Sequence, residues 1–245
     1  MGTVFSFDVR GCSDVSRARG ALVEAVDFLH HADRVFSPYR EDSQVSRLAR
    51  GEITSEQCGP DVQEVRGLCE NMTRRTEGWF SPWYAGDAGG WDPTGLVKGW
   101  ATERAARMLA SAVPGAAVCV NGGGDIQLLG GPWRIGLADP LHPGELAAVV
   151  EVGAEVREVA VATSGPAERG CHILDPRTGE PPAHALAAMT VIGPSLTLAD
   201  AFATAAYAMG DGAHAWLEKQ QDVEGLATSA TGLTRETSGF GRWTA

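Results

Sequence analysis

Residues 116–129 read AAVCVNGGGDIQLL, and this stretch decides the fold class. Apolar runs of strand length lie on both sides of three glycines, which favours a β-hairpin or a bulge at 121–125. A P-loop does not fit, because no Gly-Lys-Ser/Thr follows, and a dinucleotide fingerprint does not fit, because a strand follows the glycines instead of a helix. The stretch therefore predicts antiparallel pairing, in a place where glycines let a ligand approach the backbone closely.

The rest of the chain divides into helical periodicity before this hairpin and short strands after it. Helices are predicted at 14–36, 42–49, 61–77, 95–111, 197–209 and 211–220, and strands at 3–9, 116–120, 125–129, 133–137, 146–151, 156–163, 186–192, 223–229 and 238–243. Helices grouped early and strands grouped late are typical of an α+β fold. The chain contains no repeat, low-complexity tract or linker, so we expect one domain over 1–245.

Composition excludes several classes of function. The net charge of -11 argues against nucleic acid and against an anionic membrane surface, since both require basic residues. The five cysteines form no CxxC pair, so we expect reduced thiols and no zinc cluster. The first residues lack a signal-peptide pattern and no apolar run is long enough to span a bilayer, so we expect a cytoplasmic location without membrane insertion.

Asp200 and Thr204 are the first candidate site residues. They are four apart on an apolar helix and therefore share one face, where carboxylate and hydroxyl oxygens suit Mg²⁺ or Ca²⁺. Spacing alone favours a different role, because Thr197-Leu198-Ala199-Asp200 fits a capping box with Thr197 as the N-cap.

The stretch Cys171-His172-Ile173-Leu174-Asp175-Pro176-Arg177-Thr178-Gly179 combines a titratable group with a turn. His172 ends a predicted strand and suits general acid–base chemistry near neutral pH, or else it is a polar residue at the rim. Arg177 either pins the turn through Asp175 or faces a phosphate.

Two further segments carry groups that suit an anionic ligand. Lys98 lies near a helix start, which is unfavourable against the helix dipole and indicates either an anionic partner or a solvated side chain. Thr163-Ser164-Gly165 follows a strand, so its hydroxyl and amide groups either hold a ligand or simply end the strand.

Taken in order, these blocks resemble the ApbE family of FAD:protein FMN transferases. The blocks are Met1-Gly2-Thr3, Tyr39 with 43–48, Gly78-Trp79-Phe80, 92–104, Asn121-Gly122-Gly123-Gly124-Asp125, 133–140, Thr163-Ser164-Gly165, 172–179 with Pro181, and 200–204. Each motif alone is weak, but their order covers nearly the whole chain. One departure is Ser81, where family members usually have Asp after the Phe of the Gly-x-Phe block.

The resemblance implies a two-lobed α+β fold with mixed or antiparallel sheets flanked by helices, and a cleft that binds FAD as a substrate with Mg²⁺ at its diphosphate. It implies transfer of FMN to a threonine of an acceptor flavoprotein, with release of AMP. Carried over by position, the metal ligands are Gly95 through its carbonyl, Asp200 and Thr204, and the catalytic residues are His172 and Asp200. The positions that contact FAD are Met1, Tyr39, Phe80, Lys98, Asn121, Gly123, Thr163, Ser164, His172 and Ile173.

Two alternatives stay open from the sequence. An Mg²⁺-dependent FAD pyrophosphatase would use water in place of threonine, and a non-catalytic flavin-binding protein would hold FAD without turnover.

Overall fold

The computed structural model describes residues 2–83, 90–166 and 173–244. Its strands are β1 (Phe5–Arg10), β2 (Ala117–Gly122), β3 (Asp125–Leu129), β4 (Trp133–Ala138), β5 (Leu146–Val152), β6 (Glu158–Ser164), β7 (Leu186–Gly193), β8 (Glu224–Ser229) and β9 (Thr234–Glu236). Its helices are α1 (Val15–Phe36), α2 (Gln44–Ala49), α3 (Pro60–Arg75), α4 (Thr94–Ala112), α5 (Leu196–Met209) and α6 (Ala213–Leu217). The α+β class predicted from the sequence is confirmed.

Seven strands form one sheet in the order β1-β2-β3-β6-β7-β8-β9, and every described pair in it is antiparallel. The strands β4 and β5 form a separate antiparallel hairpin. Of the two sheet types that the resemblance allows, the described strands therefore adopt the antiparallel one.

Helices cover one face of the seven-stranded sheet and the β4–β5 hairpin covers the other. Ala160 and Ala162 of β6 pack into the core beneath α4 and α5, while Val159 and Val161 pack into the core beneath the hairpin. Successive side chains of a strand point to opposite faces, so a strand covered on both sides reads as a continuous apolar run. The burial of both faces explains the composition of β6 and β7 and leaves the ends of these strands free to build a site.

The glycines at 122–124 make the hairpin that the sequence predicts. Gly122 pairs with Asp125 in the register of β2 and β3, and the two residues between them have φ angles of 62° and 91°. Positive φ at both central positions is the signature of the two-residue turns that match the twist of paired strands. A side chain at Gly123 would also collide with Thr3, so this turn requires glycine for two reasons.

The predicted strand at 238–243 is wrong. A 3₁₀ turn spans Phe240–Trp243, and the last strand is β9 at 234–236. Phe240 is fully buried in the hairpin-side core and Trp243 packs against the same core. A 3₁₀ turn brings residues three apart onto one side, so both aromatic rings reach that core, which an alternating strand would not allow.

The capping box predicted at Thr197 and Asp200 is also wrong. The N-cap of α5 is Ser195, whose side chain accepts a hydrogen bond from the amide of Leu198. Thr197 lies inside the first turn, and both its amide and its Oγ1 donate to Glu103 Oε2, at 2.9 and 2.6 Å. Asp200 lies beyond the first turn, so its carboxylate does not serve as a cap and its burial requires another explanation.

Replacing Thr197 by valine is expected to lower the free energy of unfolding by about 1.5–3 kcal/mol, the usual worth of a hydrogen bond to a charged group. Valine keeps the shape of the side chain but leaves buried Glu103 with one donor fewer. Urea denaturation measures the change, with Thr234→Val on exposed β9 as the control. Equal midpoints for the two variants would contradict this account of the start of α5.

Four cysteines fall among the described residues and all are free thiols: Cys12, Cys58, Cys69 and Cys119. Burial raises the pKa of Cys69 to about 12 and that of Cys119 to about 11, which keeps both thiols protonated at neutral pH. Among the described helices, none has both the length and the apolar character that a membrane crossing requires.

Candidate active site

A cleft of about 500 Å³ lies where the β2–β3 turn and the end of β6 meet the first turns of α4. The loop at 79–83, the tip of the β4–β5 hairpin and the segment 173–179 complete its walls. Elements that are distant in sequence therefore supply one concave surface, and concave surfaces of this size commonly hold small molecules.

The cleft brings together most of the site residues predicted from the sequence. Those that line it are Phe80, Gly95, Lys98, Asn121, Gly123, Thr163, Ser164, Ile173, Asp200 and Thr204. Tyr39 is not among the described lining residues, and the residue is 95% exposed. Met1 and His172 lie outside the described residues.

Asp200 and Thr204 contribute an oxygen cluster to the cleft. Asp200 is only 5% exposed, and its Oδ2 accepts a hydrogen bond from the Gly99 amide at 3.1 Å. In a regular helix that amide bonds to the carbonyl oxygen of Gly95, so the carboxylate and this carbonyl converge on one point of α4. Thr204 lies one turn further along α5, with its Oγ1 3.3 Å from Ser164 Oγ. Carboxylate, hydroxyl and carbonyl oxygens form a donor set that suits a hard cation such as Mg²⁺.

Gly99 makes this approach of the two helices possible. A Cβ atom at that position would lie 2.8 Å from the Leu196 carbonyl oxygen and 3.0 Å from Asp200 Cβ. The absence of a side chain lets α4 and α5 pack closely enough for the Asp200 carboxylate to reach the α4 backbone.

Lys98 forms an ion pair with Asp125, and this pair joins two walls of the cleft. The Asp125 side chain is 2% exposed and that of Lys98 is 17% exposed. The other carboxylate oxygen of Asp125 accepts a hydrogen bond from the Thr163 amide at 3.0 Å. Lys98 is therefore not a freely solvated lysine, and Asp125 fixes both the cation and the end of β6.

The turn between β2 and β3 is held by its own asparagine. Asn121 Oδ1 accepts a hydrogen bond from the Gly124 amide at 2.8 Å. This bond orients the glycine backbone of 122–124 at the cleft wall, so the turn presents a fixed surface.

Ser81 is engaged within its own loop. Its hydroxyl donates to the carbonyl oxygen of Trp83 at 3.0 Å and accepts from the Trp83 amide at 3.2 Å. The next loop residue, Pro82, accepts a hydrogen bond from the amide of Asp92, and Asp92 Oδ1 accepts from the Thr94 amide at 2.9 Å. The backbone of Asp92 is thus tied to the residue that follows Ser81, while its carboxylate binds the first turn of α4.

Arg177 stacks on an aromatic ring. Its guanidinium carbon is 3.7 Å from the centre of the Trp79 ring, and its backbone amide donates to Asp175 Oδ1 at 2.8 Å. Asp175 thus binds the Arg177 backbone, while the guanidinium ties the 173–179 segment to the 79–83 loop across one end of the cleft.

Because of this stack, Arg177→Ala is expected to change the affinity for FAD, the ligand that the resemblance implies, by less than about fivefold. An exposed cation–π contact contributes about 0.5–1 kcal/mol, whereas a charge-assisted bond to phosphate would contribute about 1.5–3 kcal/mol and its loss would weaken binding at least tenfold. Titration followed by flavin fluorescence measures the affinity, with Trp79→Phe as the control that keeps an aromatic ring. A tenfold or larger loss of affinity with Arg177→Ala alone would indicate that Arg177 binds a phosphate.

Some cleft residues belong to the motif blocks but were not predicted as site residues. Asp92 and Asp125 line the cleft, as do Trp79 and the hairpin residues 135–140. The Asp-Pro-Thr sequence before α4 was a usable signal for Asp92, since aspartate favours helix starts. For Asp125 no local pattern was available, because its partner Lys98 belongs to a different element.

A second group of ionisable side chains lies at the tip of the β4–β5 hairpin. The ligand atoms of Asp139, His142 and Glu145 all lie within 4.8 Å of one another. The contact of Asp139 with His142, together with two backbone amides, lowers the pKa of the Asp139 carboxyl. The group is largely exposed and serves to fold the tip.

Comparisons with known proteins show the family of this chain. A family model described as the ApbE family matches residues 85–227, more than half of the chain. The FAD:protein FMN transferase of Rhodobacter capsulatus is 31% identical over 206 residues, which cover 79% of this chain and 35% of that protein. The protein of the same name from Escherichia coli K12 is 29% identical over 168 residues, covering 62% and 44%. The matched part spans less than half the length of these curated relatives.

Solved structures show the same fold. The ApbE protein of Thermotoga maritima superposes with a TM-score of 0.86 at 20% identity, covering 100% of this chain and 96% of that chain. The flavin transferase ApbE of Vibrio cholerae gives a TM-score of 0.75 at 23% identity, covering 98% of both chains. The family match and the shared fold together establish that this chain belongs to the ApbE family.

Proposed function

We propose that the chain transfers FMN from FAD to a threonine hydroxyl of an acceptor flavoprotein, with Mg²⁺ and with release of AMP. The observation that carries the proposal is the oxygen cluster of Asp200, Thr204 and Ser164 in the same cleft as the Lys98 cation. A bound diphosphate is stabilised by nearby positive charge. Lys98 and a cation held by the oxygen cluster would together supply that charge. The names of the related proteins support the choice of FAD and of a protein acceptor.

The donor set of the cluster fits magnesium. Asp200, Thr204 and the Gly95 carbonyl would hold the ion, which leaves positions for water and phosphate as Mg²⁺ prefers. A bound Mg²⁺ would neutralise the diphosphate and stabilise the charge on the departing AMP.

The residues of the chain bind and orient the reactants. Lys98, held by Asp125, offers its ammonium group to the phosphate oxygens, and the glycine turn at 122–124 lets the backbone approach the ligand. Phe80 is 3% exposed, and its amide is fixed by Thr76 Oγ1 at 3.0 Å, so its ring forms a rigid wall of the cleft. His172, assigned only by the resemblance, would accept the proton of the threonine hydroxyl as that oxygen attacks phosphorus.

One incubation separates the three possible activities. The protein is mixed with FAD and Mg²⁺, with and without an acceptor flavoprotein, and AMP release and acceptor mass are measured together. Transfer predicts AMP only with the acceptor, together with one FMN added to a threonine. Equal release of AMP and FMN without the acceptor would identify a pyrophosphatase, and FAD binding without AMP would identify a binding protein.

A further inference from the structure

The strand β4 borders the cleft with its edge. Four consecutive residues of β4, 135–138, line the cleft, followed by Asp139 and Pro140 of the hairpin tip. Successive side chains of a strand point to opposite faces, so a strand that lined the cleft with one face would contribute only every second residue. The unbroken run means that the main chain itself faces the cavity.

The direction of one hydrogen bond shows which main-chain groups do so. The amide of Asp139, the residue after β4, donates to the carbonyl oxygen of Glu145, the residue before β5, at 3.0 Å, so the backbone of Asp139 faces the β5 side. Backbone groups alternate in direction along an antiparallel strand. The register shift near Leu137 leaves one residue of β5 without a partner and none of β4. Burial along β4 also alternates without interruption through Ala138, so the directions of its backbone groups alternate as far as the end of the strand. Gly136 and Ala138 therefore direct their amide and carbonyl groups away from β5.

This outer edge is accessible along the cleft. No backbone hydrogen bond from the described part of the chain reaches Gly136 or Ala138 on that side. Both residues are small. The Leu146 side chain lies over the face of Gly136, since its Cδ2 would be 2.8 Å from an added Cβ. Nothing bulky on these two residues stands between their main-chain groups and a ligand.

The charge at the tip of the β4–β5 hairpin indicates which reactant, FAD or the acceptor, binds at this edge. Two carboxylates, Asp139 and Glu145, lie beside this edge with one imidazole, His142, so the group stays net negative. Lys98 and Asp200 belong to the sheet-and-helix side. The anionic diphosphate of FAD is repelled by the tip and attracted to the Lys98 side. The main chain of a polypeptide carries no net charge, and its alternating donors and acceptors match a free strand edge.

We propose that the acceptor segment carrying the threonine binds in extended form as an additional strand on β4, pairing with the main chain of Gly136 and Ala138. The inference rests on the proposed transfer function. It explains how a cleft that takes FAD also orients a protein hydroxyl. Main-chain bonds fix the register of the segment, so the face that carries the threonine is turned toward the reacting phosphorus.

The first test changes the edge of β4. Ala138→Pro removes one outward amide and leaves the β4–β5 hydrogen bonds in place, because proline is tolerated on the open side of an edge strand. The KM for the acceptor is expected to rise about tenfold, with the affinity for FAD unchanged by flavin fluorescence. The control is Arg134→Pro, which changes the same edge at a residue outside the cleft lining and is expected to leave the KM unchanged.

The second test changes the acceptor and holds even if Ala138→Pro fails to fold. In the flavoprotein that the wild-type enzyme modifies, each of the three residues on either side of the threonine is replaced by proline, one at a time. Strand pairing predicts that transfer is lost at alternate positions only. A uniform loss, no loss, or an unchanged acceptor KM in folded Ala138→Pro would overturn the strand model while leaving the transferase intact. If no acceptor is modified by the wild-type enzyme, the proposed function fails and this inference fails with it.

Discussion

Replacing Asp200 by asparagine is expected to reduce FMN transfer by on the order of 10²–10³-fold, the loss typical when one group that stabilises developing charge is removed. Asparagine keeps an oxygen that accepts the Gly99 hydrogen bond, so the contact between α4 and α5 survives. What disappears is the negative charge, which a cation held by Asp200 and Thr204 requires. AMP release and acceptor mass, measured at several Mg²⁺ concentrations, follow the activity.

The control for this variant is Ser195→Ala. It removes the cap of the same helix, at a cost of about 0.5–2 kcal/mol in stability, but leaves the cleft untouched. We expect Ser195→Ala to be less stable yet fully active, and Asp200→Asn to be nearly as stable as the wild type yet inactive. The metal role of Asp200 would be refuted if Asp200→Asn kept its activity, or lost it only in proportion to its stability.

The fold was largely predictable because its strands and helices obey local rules. The glycine turn between β2 and β3 followed from composition, and its positive φ angles agree with the type of turn that glycines favour. The start of α5 was not predictable, because Thr197 binds Glu103, which lies 94 residues earlier in the chain. A local pattern that resembles a capping box cannot reveal that its hydroxyl has a distant and charged partner.

The candidate site shows the same division. Ten of the site residues that the ordered motifs imply line one cleft, including Asp200, for which spacing alone favoured a capping role. The partners that orient them, Asp125 for Lys98 and Trp79 for Arg177, arise from contacts between separate elements. The substitution at Ser81 is also easier to interpret in three dimensions, since Asp92 is hydrogen-bonded to the adjacent Pro82 and faces the same cleft.

The second large effect is expected at the ion pair of Lys98 and Asp125. Lys98→Met leaves the buried carboxylate of Asp125 without the ammonium group, which typically costs about 3–5 kcal/mol when a buried pair loses one partner. It also removes a cation from the cleft, so the affinity for FAD is expected to fall about 10- to 100-fold, in line with about 1.5–3 kcal/mol for a charge-assisted bond. Urea denaturation and flavin fluorescence measure the two effects separately.

The double variant Lys98→Met/Asp125→Asn separates the structural role of the pair from its role in binding. Asparagine carries no charge and its oxygen still accepts the Thr163 amide, so most of the lost stability should return. The affinity for FAD should stay low, because no cation has been restored. Recovery of both quantities would make the lysine a structural partner of Asp125 alone, and recovery of neither would mean that the buried charge is not the source of the instability. Only recovery of stability without affinity agrees with a lysine that Asp125 holds in place for a phosphate.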